Sequence, residues 1–343
     1  MQKENWLKQR LAPWQNQFAP LQAVAGEARW QYRDKARLST RWQDGQWQFG
    51  LIVGRELIAI PACPTHSERV RGTLRLLAGV LPAGPVFPMA FYIQAGAQVT
   101  LVLKTAVLPA LSWVDEKLTH RLTQLGIEGL WLHLHPAAGR RMFAKNGWHL
   151  LWGKSLSVDN NRLLYGPTAF QQVLPVLYQQ ALAEAENFLA PSDNDVIIDL
   201  YCGLGASLMR WTDRGARAVG VELGGEAVTC ARQNAPPALV LRGKCAERIP
   251  QLNAWLENNA RAAGQGLLYL NPPRTGIEPE VLDWVVRQFR PTRMAYLSCS
   301  AGTLRRDLNI LSLHDYQVKR ITPYDFFPQT YHVETLVLLQ LAN

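Results

Sequence analysis

Between Val196 and Leu341 short apolar runs alternate with longer amphipathic stretches, and no other feature limits the possible folds of this chain so much. VIIDL at 196–200, ARAVGVE ending at Glu222, and the runs at 239–242, 267–270 and 294–297 read as buried strands. Helical stretches lie between them, at 225–234 and 246–262, after the glycine turn that follows Leu200, after Gly276 and after Ser300. Two last strands, YQVKRITPY and HVETLVLLQL, form an antiparallel pair. Repeated strand–helix units of this kind fold into an α/β doubly wound sheet with helices on both faces.

Ligands of such sheets bind beyond the carboxyl ends of the strands, so the strand exits hold the candidate site. The first exit is Tyr201-Cys202-Gly203-Leu204-Gly205, a glycine turn leading into a helix. Backbone N–H groups at such a turn can approach a nucleotide-like ligand. Glu222, closing the next strand, stands where an acidic residue reaches ribose hydroxyls. The third glycine of a dinucleotide fingerprint is missing, which points away from NAD and towards S-adenosylmethionine. At the second exit, Asn271-Pro272-Pro273-Arg274-Thr275-Gly276, two prolines stiffen the loop. The third is Ser298-Cys299-Ser300, where a strand stops at a cysteine just before a helix. Such a thiol is either a small hydrophobe at a strand end or a nucleophile whose thiolate the helix N-terminus favours.

The chain has 343 residues, 48% of them hydrophobic, and two domains are expected, 1–164 and 165–343. No uninterrupted apolar run has membrane-spanning length, and the first residues lack a signal-peptide core, so no membrane partner is expected. Five cysteines without a CxxC pair argue against a disulfide framework and a zinc site and fit a reducing cytoplasm. A monomer is the expected state. Of the net charge of +9, the excess lies in residues 1–165, with 20 Lys and Arg against 10 Asp and Glu; the remainder has 16 against 17. Most tryptophans also lie in the first half. Basic side chains with interspersed aromatics suit a polyanion with bases to stack, and equally a solvated surface over a tryptophan-rich core.

Residues 1–25 read as one or two helices interrupted by Pro13 and Pro20. Strands follow between Arg29 and Ile60 around an Asp44-Gly45 turn, then a helix after ACPTHS. Strands FYIQA, QVTLVLKT and GLWLHLHP complete the pattern, with a helix near 115–125. This is an α+β domain with no catalytic constellation of its own.

DLYCGLG, LNPPRTG, YLSCSAGTLRRD and FPQTYHVETLVLL, in this order and spacing, resemble the RNA 5-methyluridine (uracil-C5) methyltransferase family, especially its 23S ribosomal RNA members. The resemblance covers 165–343 strongly. Upstream it is weaker, through YRDKARLS and ACPTHS. It implies a class I S-adenosylmethionine-dependent methyltransferase fold, a Rossmann-like doubly wound sheet, behind an N-terminal RNA-binding α+β domain. It further implies methyl transfer from S-adenosylmethionine to C5 of a uridine, with ribosomal RNA favoured and transfer RNA the alternative. By the same resemblance Cys299 is the nucleophile that adds to C6 and Glu334 the base that removes H5. A Glu inside an apolar strand is costly unless it is buried for a purpose, and desolvation raises its pKa towards a useful value. Gln172, Tyr201, Gly203, Glu222 and Asn271 then contact the cofactor, and Arg274 lies near the uracil.

Several positions depart from the family pattern. Of the cysteines that hold an iron–sulfur cluster in many members, Cys63 alone has a counterpart here, so no cluster is expected. Leu174 and Ser300 replace asparagines, and Lys244 stands where an acidic residue usually faces the adenine. These departures keep a second reading open, an RNA-binding protein without catalysis. A third, methylation of an exocyclic amine, rests on the N-P-P sequence alone and is opposed by Arg274 and Cys299.

Overall fold

The computed structural model describes residues 2–139, 141–260 and 264–342. The chain forms two compact units, one of Gly26–Val173 and one in which Met1–Ala25 joins Leu174–Asn343. This differs from a division at Tyr165. The first 25 residues contain α1 (Gln2–Arg10) and a 3-10 turn over Ala12–Gln17 with Pro13 in its first turn, where a missing N–H costs nothing.

In the Gly26–Val173 unit, β1 (Lys35–Gln43) and β2 (Gln46–Val53) form a hairpin through Asp44 and Gly45. Both turn residues have positive φ, 52° and 74°, the conformation that Asp-Gly adopts readily and that matches strand twist. Next come β3 (Glu56–Ala59), α2 (Glu68–Ala78), β4 (Met89–Ala95), β5 (Gln98–Leu103), α3 (Glu116–Gln124), β6 (Gly129–Leu134) and β7 (Trp148–Gly153). The helices begin at side-chain caps, Ser67 accepting from the Val70 N–H and Asp115 from the Leu118 N–H. The sheet order is β3-β2-β1-β4-β5-β6-β7, antiparallel except for β5 and β6. Strand β7 has no counterpart in the sequence pattern, because its residues are only partly buried or exposed. A two-stranded ribbon of β8 (Ser157–Val158) and β9 (Leu164–Tyr165) completes the unit's strands.

The other unit continues with α4 (Pro175–Leu189), β10 (Val196–Leu200), α5 (Ala206–Asp213), β11 (Arg217–Glu222), α6 (Gly225–Asn234), β12 (Leu239–Arg242) and α7 (Cys245–Asn259). The expected extension of α7 to residue 262 runs into positions outside the described residues. Then follow β13 (Gly266–Leu270), α8 (Pro279–Trp284), β14 (Arg293–Ser298), α9 (Ala301–Leu313), β15 (Tyr316–Tyr324) and β16 (Glu334–Leu341). The strands lie in the order β12-β11-β10-β13-β14-β16-β15. The first five are parallel, and β16 runs antiparallel between β14 and β15. This is the class I methyltransferase sheet, and its order reverses between β10 and β13.

The N-terminal segment belongs to this unit because its apolar side chains are buried there. Leu7 and Leu11 are fully buried in one core with Tyr316, Ile321, Val337 and Leu339. Its backbone also extends the sheet edge, where Ala19 N–H donates to the Ile321 carbonyl and Gln22 N–H to that of Pro323, both at 2.8 Å. Sequence order had placed these residues with the basic half; burial places them beside β15.

Candidate active site

Three loops at the carboxyl ends of the parallel strands make the site. After β10, Tyr201 has a left-handed φ of 61° and Gly203 one of 56°. A Cβ built on Gly203 would meet nothing within 4 Å, so the turn faces open space and presents backbone there. Gly205, at φ 83°, packs closely on α6, where an added Cβ would lie 3.2 Å from Ala231 Cα. It starts α5 without a side-chain cap, so the helix's first N–H groups have no side-chain acceptor. Glu222, at the end of β11, accepts from the Gly203 N–H at 3.1 Å and the Gly224 N–H at 2.7 Å. One carboxylate thus fixes two turns at the mouth of the loop. An open glycine cradle with an acidic side chain at its rim fits the ribose and amino-acid parts of S-adenosylmethionine.

Asn271, leaving β13, donates its backbone N–H to the Leu200 carbonyl at 3.2 Å, which joins the second loop to the first at the point where strand order reverses. The second loop is held from α9. Asp307, fully buried, accepts from the Ile277 N–H at 3.0 Å and the Tyr296 hydroxyl at 2.8 Å. Arg306 pairs with Asp307 and donates to the carbonyls of Thr275 and Ile277, while Thr303 donates to that of Arg274. Gly276 has φ 78° and no room for a Cβ, which would lie 2.7 Å from Asp307 Oδ2. The TLRRD stretch of the sequence supplies this clamp. The signal was present, since Asp307 lies on the helix face of buried Leu304, Leu308 and Leu311.

Cys299 follows β14 and is half-buried. Glu334 opens β16, is 3% exposed, and its Oε2 has no hydrogen-bond partner among the described residues. The β14–β16 register ends with Ser298 paired to Thr335, so Cys299, the first residue after β14, and Glu334, the first residue of β16, lie at the same end of the two neighbouring strands. Arg274 reaches this corner from the second loop, with Nη2 3.2 Å from His332 Nε2. Burial pushes the Glu334 carboxyl up from its ordinary 4.5 to about 7, against the pull of the Arg274 guanidinium. The Cys299 thiol is pushed up to about 11, by burial first and by Glu334 second, with Arg274 opposing. The helix N-terminus was expected to favour the thiolate; desolvation outweighs it.

Seven of the eight residues singled out in the sequence lie in this unit: Tyr201, Gly203, Glu222, Asn271, Arg274, Cys299 and Glu334. Gln172 lies in the other unit, next to its last residue, and is partly buried, with its Oε1 unpartnered among the described residues. Lys244 is an exposed residue before α7, 3.7 Å from Glu247. Cys63 Sγ lies 3.2 Å from Thr65 Oγ1, and among the described residues no group of three His, Cys, Asp or Glu is arranged to hold a metal.

Residues 263–342 match the sequence profile of the tRNA (Uracil-5-)-methyltransferase family. An uncharacterized RNA methyltransferase of Listeria innocua is 29% identical, over 91% of this chain and 72% of its own length. A 23S rRNA (uracil(1939)-C(5))-methyltransferase RlmD of Shewanella frigidimarina is also 29% identical, over 93% of this chain and 71% of its own. The RlmD of Marinomonas posidonica is 36% identical over 53% of this chain and 41% of its own. In fold the chain is similar to the tRNA (uracil-54, C5)-methyltransferase of Pyrococcus abyssi, solved with S-adenosyl-L-homocysteine. That likeness has a TM-score of 0.71 at 19% identity and covers 98% of this chain and 81% of the other. Motifs, sheet order and these likenesses agree: residues 263–342 carry the profile of the tRNA (Uracil-5-)-methyltransferase family, and the chain is similar over nine-tenths of its length to RNA methyltransferases, which take their methyl group from S-adenosyl-L-methionine.

Proposed function

We propose that this protein methylates C5 of a uridine in RNA, with 23S ribosomal RNA favoured and transfer RNA the alternative, through a covalent bond between Cys299 and C6. The antiparallel pairing of β14 and β16 carries the reading, because it brings a thiol and a buried carboxylate to the same end of two neighbouring strands at the carboxyl edge of the sheet, where the carboxylate acts on the thiol. Those are the two groups that the chemistry needs. As a thiolate, Cys299 adds to C6 and makes C5 enolate-like and nucleophilic. S-adenosylmethionine supplies an electrophilic methyl group to C5. Glu334, ionised, then takes H5; the C5–C6 double bond re-forms, the C6–S bond breaks and sulfur leaves as thiolate. Arg274 lowers the pKa of both groups and so favours the ionised form each requires. Gly203 and Glu222 hold the donor, with Tyr201 and Asn271 lining the same switch point; Gln172 is assigned a cofactor contact by resemblance alone.

Ribosomal RNA is favoured because the curated relatives quoted above that have a named target are named for uracil 1939 of 23S RNA. The five cysteines, all free, suit a reducing cytoplasm. The test is to incubate the protein with labelled S-adenosylmethionine and unmodified 23S or transfer RNA, digest, and identify the product. Labelled 5-methyluridine from 23S RNA is the expected result. Label in transfer RNA alone would reassign the substrate, and label on a nitrogen would overturn the reaction.

A further inference from the structure

We propose that Lys3 is a positioning residue for Glu334, fastening the loop between β15 and β16 so that the carboxylate is delivered in register. The proposal rests on Glu334 being the base. An ammonium group has three donors and no acceptor, and that of Lys3 meets three acceptors of this one loop. Its Nζ lies 2.6 Å from Asp325 Oδ1, 2.9 Å from the Phe327 carbonyl and 3.0 Å from the His332 carbonyl. Asp325 begins the loop, and His332 stands two residues before Glu334, so one side chain closes the loop at both ends. Both partners of the ion pair are largely buried, with side chains 18% and 13% exposed, and solvent screens the pair little.

The lysine is itself held. Leu7, on the same helix, is fully buried in the sheet's core, and Asp325 N–H donates to the Gln22 carbonyl at 2.8 Å, a second tie between the N-terminal segment and the loop. Within the loop Thr330 Oγ1 donates to the Phe327 carbonyl at 2.9 Å and accepts from the His332 N–H at 3.2 Å. The loop contributes His332 to the Arg274 contact and holds Tyr331 95% exposed beside the site. Nothing in the motifs connects residue 3 with residue 334.

The test compares Lys3→Met, Lys3→Arg and Asp325→Ala in the full chain, measuring amide exchange across 326–333, kcat, KM for S-adenosylmethionine, and adduct on ordinary RNA. Lys3→Met should speed exchange in the loop about tenfold or more and lower kcat about tenfold to a hundredfold, with KM for the donor unchanged. Adduct on ordinary RNA should accumulate, because H5 removal is the slowed step. Lys3→Arg should rescue only part, since a planar fork cannot address three acceptors arranged around a point. Asp325→Ala should move the same quantities in the same direction, even if Lys3→Met fails to fold. Unchanged exchange and kcat in folded Lys3→Met or Asp325→Ala would overturn the proposal, as would a kcat loss matched by an equal rise in donor KM and a lowered melting temperature. Glu334→Gln separates the two claims. If it stalls at the adduct while Lys3→Met does not, the fastening role fails alone; if it turns over normally, the base assignment fails and the proposal with it.

Discussion

At the scale of single residues, the site is governed by desolvation. Glu334 carries a buried, partly unpartnered carboxylate that is raised to about 7, so kcat should climb with an acid limb near pH 7 as the base ionises. Arg274 pulls both Glu334 and Cys299 down, and Arg274→Met should therefore move that limb to higher pH. A pH–rate profile of both proteins checks the direction. The same burial has a cost in stability. A carboxyl raised from 4.5 when unfolded to about 7 when folded favours the folded state least above pH 7, where it must be buried as an anion, and the penalty fades as pH falls through that window. Glu334→Gln should thus melt at a higher temperature than the parent at pH 8 and lose most of that advantage at pH 5, while its turnover falls about 10²- to 10⁴-fold. Cys299 and Glu334 were both legible as residue types at strand ends. Their meeting at one end of the sheet was not, because it comes from the antiparallel return of β16 across more than thirty residues of intervening chain.

At the scale of elements, α9 works as a clamp on the loop after β13. Asp307 satisfies a backbone N–H, a tyrosine hydroxyl and Arg306 at once, so its removal leaves buried donors without acceptors. Asp307→Ala should cost roughly 3 kcal/mol in urea unfolding and lower turnover, since the loop carries Arg274. Gly276→Ala should act in the same direction through backbone strain and the 2.7 Å approach to the Asp307 carboxylate. The parallel strands were readable because burial on both faces leaves continuous apolar runs. Strand β7 was not, since partial burial gives Trp148–Gly153 no such signature. The N-terminal segment was misassigned for a related reason: charge told where it resembles its neighbours in sequence, whereas Leu7 and Leu11 decide where it packs.

At the scale of the whole molecule, the charge asymmetry gives the Gly26–Val173 unit most of the basic excess and the methyltransferase unit the chemistry. RNA affinity should therefore fall steeply with salt, by about 10³ between 50 and 200 mM if some six phosphates are neutralised. S-adenosylmethionine binding should change far less over the same range, and titrations at several salt concentrations compare the two. Which uridine is chosen was not readable in the sequence, because target choice in RNA depends on the shape of a surface and on unstacked bases. The central claim is the covalent bond between Cys299 and C6, and 5-fluorouridine-substituted 23S RNA tests it most directly. Fluorine at C5 cannot be removed by Glu334, so the enzyme should stall as a denaturant-resistant adduct that requires S-adenosylmethionine and maps by mass spectrometry to Cys299. An adduct that survives in Cys299→Ala, or none with an RNA that the protein demonstrably methylates, would contradict the account.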